Sequence, residues 1–138
     1  MRREPIPAWL RAAVRQRAAG CCEYCRIPET GTCFAHEPDH IIAEQHGGET
    51  TFENLALACV QCNRLKGPNI ASIDPETKRV VSLFNPRIDQ WPDHFLLEAG
   101  RIIPLTPSGR ATARLLNFAD REREQARQNL WRAGRLSV

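Results

Sequence analysis

The chain has 138 residues, 42% apolar and 25% charged, which is enough for one domain with a real core and too little for two. No apolar run approaches the roughly 20 residues of a membrane-spanning helix, and no low-complexity run marks wholesale disorder. The net charge is only +3, but it is unevenly spread: residues 1–20 hold five Arg against one Glu, residues 101–138 eight Arg against three acids, and residues 21–100 six basic against twelve acidic side chains. A polyanion approaching the acidic middle would need cations from the two flanks; solvated helix faces are the plainer reading of the same arginines. Arg11, Arg15 and Arg17 interrupt the N-terminal segment, so it does not read as a signal peptide. The expected location is the cytoplasm, where paired cysteines favour metal over disulfide.

Residues 5–19 read as a first helix, with Pro7 in its first turn and Trp9, Leu10 and Val14 packing against a metal-bound core. Gly20 stops it ahead of Cys22 and Cys25, and Pro28 and Gly31 mark a loop. An extended run from Cys33 to Ala43 follows, Cys33 being expected as a small buried side chain. His46-Gly47-Gly48 is a turn, and Leu55, Leu57 and Val60 lead into a short helix through Asn63 and Lys66 that Gly67 ends. Beyond Pro68 come a turn at 74–77, an apolar run at 80–84 and two strands across Ala99-Gly100. A helix carrying Ala111, Leu115 and Leu116 is next, then a charged last helix capped by Asp120.

Cys22-x2-Cys25 and Cys59-x2-Cys62 form a four-thiolate set at tetrahedral zinc spacing. Sulfur fills every ligand position, so this zinc is structural and chemistry must sit elsewhere. Asp39-His40 is the one place inside the clip where a carboxylate adjoins an imidazole. Histidine suits general-base work near neutral pH, and phosphodiester hydrolysis also needs a cation on the charge that develops. Adjacent residues of a regular strand face opposite ways, so the strand must twist or end at this pair.

Asp39-His40-Ile41-Ile42, His46-Gly47-Gly48, Glu53-Asn54-Leu55 and Cys59-x-x-Cys62-Asn63-x-x-Lys66-Gly67 together resemble the HNH endonuclease family of the zinc-stapled kind. The motifs span about a third of the chain. Residues 68–138, with Ile73-Asp74-Pro75-Glu76-Thr77 and Trp91-x-x-His94-Phe95, resemble an extension of many small bacterial HNH proteins. The resemblance implies an α+β fold: a ββα-metal core (21–67) stapled by the cysteines, an N-terminal helix (1–20) and a mixed strand and helix C-terminal extension (68–138), all one nuclease domain. It implies a DNA endonuclease in which His40 is the general base, Asp39 and Asn63 hold one divalent cation, and Asn54 braces the loop that holds His40. The family often has His where this chain has Asn63, and an oxygen-only donor set favours Mg²⁺ or Mn²⁺. Lys66 and His46 are candidate substrate contacts. RNA as a second substrate and a monomeric or homodimeric state stay open. The alternative is a zinc-stapled nucleic-acid-binding module without catalysis.

Overall fold

The computed structural model describes residues 5–136; the arginines at positions 2 and 3 lie outside them. Helix α1 runs Ala8–Arg17 with Pro7 as its N-cap, so the fixed proline φ sits just outside the helix. Strands β1 (Glu37–His40) and β2 (Leu55–Ala58) pair antiparallel, His40 opposite Leu55 and Asp39 opposite Ala56. Helix α2 (Val60–Lys66) follows at once and packs on both strands. The Cys59 thiol caps it by accepting the Cys62 backbone N–H, and Gly67 ends it at positive φ. This β1–β2–α2 unit is the expected ββα arrangement.

Every residue of β2 is buried. Because side chains alternate, Leu55 and Leu57 face α1 and join Leu10, Val14 and Ala18, while Ala56 and Ala58 face the cysteines in a second cluster with Tyr24, Phe84, Trp91, Phe95 and Phe118. Two expectations for the first helix fail here. Leu10 and Val14 pack on the far face of β2, not among the cysteines, and Trp9 is 70% exposed. Cys33 is exposed as well.

The extension adds two more antiparallel hairpins, β3 (Ala71–Ile73) with β4 (Val80–Ser82), and β5 (Phe95–Glu98) with β6 (Arg101–Pro104). A single-turn helix, α3 (Trp91–His94), leads into β5, and α4 (Pro107–Leu115) and α5 (Arg121–Arg132) complete the order. Neither β3 nor α3 was expected from the sequence; β3 is three residues long and α3 four, too short for a period to register. Asp74 explains the Ile73–Thr77 motif: it accepts the Glu76 and Thr77 backbone N–H groups at the turn and binds Arg110 of α4 through two nitrogens at 2.9 Å. The extension is tied to the first cysteine knuckle by the Trp91 indole N–H donating to the Tyr24 carbonyl at 2.8 Å and by an Arg87–Glu23 ion pair. Among the described residues, no helix is long and apolar enough to cross a membrane.

Candidate active site and metal clip

Strand β1 ends at His40, and the two adjacent side chains still face opposite ways, as strand geometry dictates. Asp39 turns inward and is buried. Its Oδ2 accepts the Tyr24 hydroxyl at 3.2 Å and lies 3.2 Å from Lys66 Nζ, while Oδ1 accepts no donor among the described residues. Burial moves the Asp39 carboxyl above its ordinary value, against the pull of Lys66 and Tyr24. Burial and the Asp39 charge also hold the Tyr24 phenol well up, so it stays a neutral donor.

His40 turns the other way. Its Nε2 is 2.9 Å from Thr50 Oγ1 and 3.7 Å from Glu44 Oε1, a buried oxygen that has no hydrogen-bond partner. Glu44 and Thr50 sit at the two ends of the 44–50 loop, so the loop closes around the imidazole. Asn54 holds that loop as a backbone would. Its Oδ1 accepts the Ile42 N–H at 3.0 Å, and its Nδ2 donates to the carbonyls of Ile42 and Glu49 at 2.9 and 2.8 Å. Gly48 makes room for this: a Cβ there would sit 1.7 Å from the Ile42 carbonyl oxygen. Asn63 is half-buried on α2, one turn before Lys66 on the same face.

Cys22, Cys25, Cys59 and Cys62 are all buried, with their sulfurs within 4.8 Å of one another and no disulfide between them. Tetrahedral zinc with bonds of about 2.3 Å separates its sulfurs by about 3.8 Å, and Cys25 and Cys59 Sγ are 3.7 Å apart. The backbone N–H groups of Cys25 and Cys62 point at the Cys22 and Cys59 sulfurs at 3.5 and 3.4 Å. Burial pushes the Cys22 and Cys62 thiols well up, while hydrogen bonds from the neighbouring thiols hold Cys25, against its burial, and Cys59 down; a bound cation would favour the deprotonated form of all four. The donors fit the ion.

The HNH endonuclease family model matches residues 22–69. This segment is similar to an HNH domain. The match runs from the first knuckle cysteine to just past α2. No curated protein and no solved structure matches the chain at a significant level.

Within the matched segment Lys66 bridges the Asp39 carboxylate and the His40 backbone carbonyl, and Asn54 bonds the Ile42 and Glu49 backbone; no hydrogen bond among the described residues joins the side chains of Asp39, His40, Asn54 and Asn63 to one another. The structure corrects the reading of Lys66 as a substrate contact. The residue is 2% exposed, and its ammonium is spent on Asp39 and, at 3.0 Å, on the His40 carbonyl. His46 is exposed at the rim beside Gly47. Glu44, Thr50 and Tyr24 were not singled out from the sequence. The i, i+4 spacing of His40 and Glu44 was the one available signal, and it is a helical spacing in a segment that is not helical here.

Many of the arginines expected to grip the substrate are occupied within the fold instead. Arg11 and Arg15 pair with Glu37 and Glu29. Arg17 donates to the Phe52 and Leu55 carbonyls and lies over the Phe52 ring. Arg123 and Arg127 are buried, Arg127 donating to the Gly100 and Phe118 carbonyls. Arg114, Arg121, Arg132 and Arg135 are exposed with no ion pair among the described residues.

Proposed function

We propose that the HNH-like segment hydrolyses phosphodiester bonds of DNA with one divalent cation and a histidine general base. The observation that carries this reading is the framing of His40: an imidazole at the end of β1, held through Nε2 by Thr50 with the Glu44 carboxylate nearby, in a loop that Asn54 ties down. In the tautomer that donates from Nε2 to that loop, Nδ1 keeps its lone pair and can take a proton from water. Glu44 then lies where a ring that has gained a proton meets an opposite charge.

The free Oδ1 of Asp39 and the carboxamide of Asn63 would hold Mg²⁺ or Mn²⁺, and such an ion when bound supplies positive charge to the leaving oxygen and the phosphoryl oxygens. Lys66 pulls the Asp39 carboxyl toward its ionised form against the effect of burial and fixes its second oxygen, leaving one oxygen for a ligand bond. The four cysteines would carry structural zinc, and residues 1–138 would act as one nuclease domain in the cytoplasm.

One observation favours the alternative, a nucleic-acid-binding module without catalysis: an ammonium already 3.2 Å from Asp39 opposes a second cation there. The experiment that separates the two is cleavage of supercoiled plasmid with Mg²⁺ or Mn²⁺ by the parent and by His40→Ala. The nuclease reading expects parental cleavage and a loss of roughly 10²–10⁴-fold in the variant. A folded, metal-loaded parent that binds DNA and leaves it intact supports the binding module.

A further inference from the structure

A zinc ion with four thiolates carries a net charge of −2, and a buried charge of that size needs hydrogen bonds and counter-charge to persist. The clip itself supplies two backbone N–H groups. The counter-charge comes from the far end of the chain. Arg123 of α5, buried, places Nη1 3.2 Å from Cys62 Sγ and 3.9 Å from Cys59 Sγ, across 61 and 64 residues of sequence. Its Nη2 donates to the Leu116 and Asn117 carbonyls at 2.6 Å each, where α4 ends. Its own backbone N–H donates to the Asp120 carboxylate that caps α5. One side chain thus joins the thiolates, the end of α4 and the start of α5. The neighbouring Arg127 is spent on carbonyl oxygens and makes no hydrogen bond to sulfur.

We infer that Arg123 is a working part of the zinc site: it neutralises the thiolates and orients them, and through it the docking of α5 and the retention of zinc become one linked equilibrium. Hydrogen bonds to metal ligands are worth roughly 10–100-fold in metal affinity. Coupling is reciprocal, so zinc must favour docked α5 by the same factor that docked Arg123 favours zinc. The C-terminal extension then has a definite task in the molecule, which is to close over the clip and hold its metal. This inference rests on zinc in the clip and not on nuclease activity.

The test compares the full-length parent, Arg123→Met and Leu130→Ala. Leu130 packs against Gly31, so its truncation loosens α5 without removing charge from the sulfurs. Zinc affinity is read by competition with a chromophoric chelator, and Co²⁺ substitution reports the sulfur-to-metal charge-transfer band. Arg123→Met is expected to bind zinc roughly 10–100-fold more weakly and to move the band to lower energy, because a thiolate that loses a donor gives up its electrons more readily. Leu130→Ala is expected to keep the parent's band position and to lose affinity only to the extent that α5 undocks, less than Arg123→Met. If Arg123→Met does not fold, Arg123→Lys reads the same quantity: it keeps a charge near the sulfurs without the second donor pair, and it should show a smaller shift of the same sign. Parental affinity and band position in the arginine variants, or an equal loss of affinity in Leu130→Ala with no band shift in any variant, overturns the role of Arg123. A parent that takes up no zinc overturns the metal assignment beneath it.

Discussion

Lys66 Nζ lies 3.2 Å from Asp39 Oδ2, and both side chains are buried, at 3% and 7% exposure. A lysine one turn along a helix from Asn63 reads in sequence as a phosphate contact. In the fold it is the internal counter-ion of the acid that would hold the divalent cation. The pair sets a competition, because the ammonium and a metal ion both answer the same carboxylate. Removing one partner of a buried pair leaves the other charge unmatched, at a cost of about 3–5 kcal/mol.

Lys66→Met should therefore lower the melting temperature strongly in metal-free buffer and recover part of the loss in millimolar Mg²⁺ or Mn²⁺. Thermal denaturation with and without the ion measures both halves. An unchanged melting temperature would mean that Lys66 is solvated and free for substrate, against the geometry here.

Glu44 Oε1 is buried, makes no hydrogen bond and points at His40 Nε2 from 3.7 Å. A carboxylate left unsatisfied costs stability, which is the usual mark of a group kept for another purpose. Glu44→Gln should leave stability equal or slightly higher, leave KM unchanged and lower kcat on the order of tenfold, short of the roughly 10²–10⁴-fold expected for the base itself. Plasmid nicking rates across substrate concentration check this, and a parental kcat would remove Glu44 from the account.

How much of this was legible beforehand divides along a physical line. Cys22-x2-Cys25 and Cys59-x2-Cys62 were readable because each pair has a fixed local spacing, and the fold gathers the four sulfurs; Asn54 came only with the family resemblance, since its partner Ile42 lies 12 residues away. Lys66 and Arg123 were not readable, because the partner of a long charged side chain is decided by tertiary packing: 26 residues separate Lys66 from the His40 carbonyl and 61 separate Arg123 from Cys62. Block charge counts misled for the same reason, since they cannot distinguish an exposed arginine from one spent on a carbonyl or a thiolate. Trp9 shows the converse limit. Helical spacing assigned it to the core, and α1 presents it to solvent while Leu10 and Val14 fill the face that β2 covers.

The Asp74–Arg110 clamp gives a pH dependence of definite sign. Arg110 and the turn N–H groups hold the Asp74 carboxyl well below its ordinary 3.8. A depressed carboxyl contributes stability that is present above its unfolded value and is lost as pH falls through the folded one. Asp74→Asn should thus be less stable than the parent at neutral pH, and the difference should shrink progressively below about pH 4. Urea denaturation of both proteins at several pH values between neutral and strongly acid reads it directly. A difference that stays constant with pH would assign the loss to packing of the turn.

Gly48 offers the sharpest test of the loop that holds His40. A Cβ there would meet the Ile42 carbonyl oxygen at 1.7 Å and Asn54 Nδ2 at 2.9 Å, and the former is backbone that cannot step aside. Gly48→Ala must push the loop off strand β1, which breaks the three Asn54 hydrogen bonds and carries Thr50 away from His40 Nε2. At about 1 kcal/mol for each net hydrogen bond, the expected destabilisation is on the order of 3 kcal/mol, with cleavage lost as completely as in His40→Ala. Gly47→Ala is the matched control. Gly47 has φ 88°, but nothing lies within 4 Å of an added Cβ, so its cost is backbone strain alone, about 1–2 kcal/mol, and His40 keeps its partners. Comparable folding and activity in the two alanine variants would mean that the loop does not position His40. A large activity gap at a small stability gap would tie the loop to the chemistry.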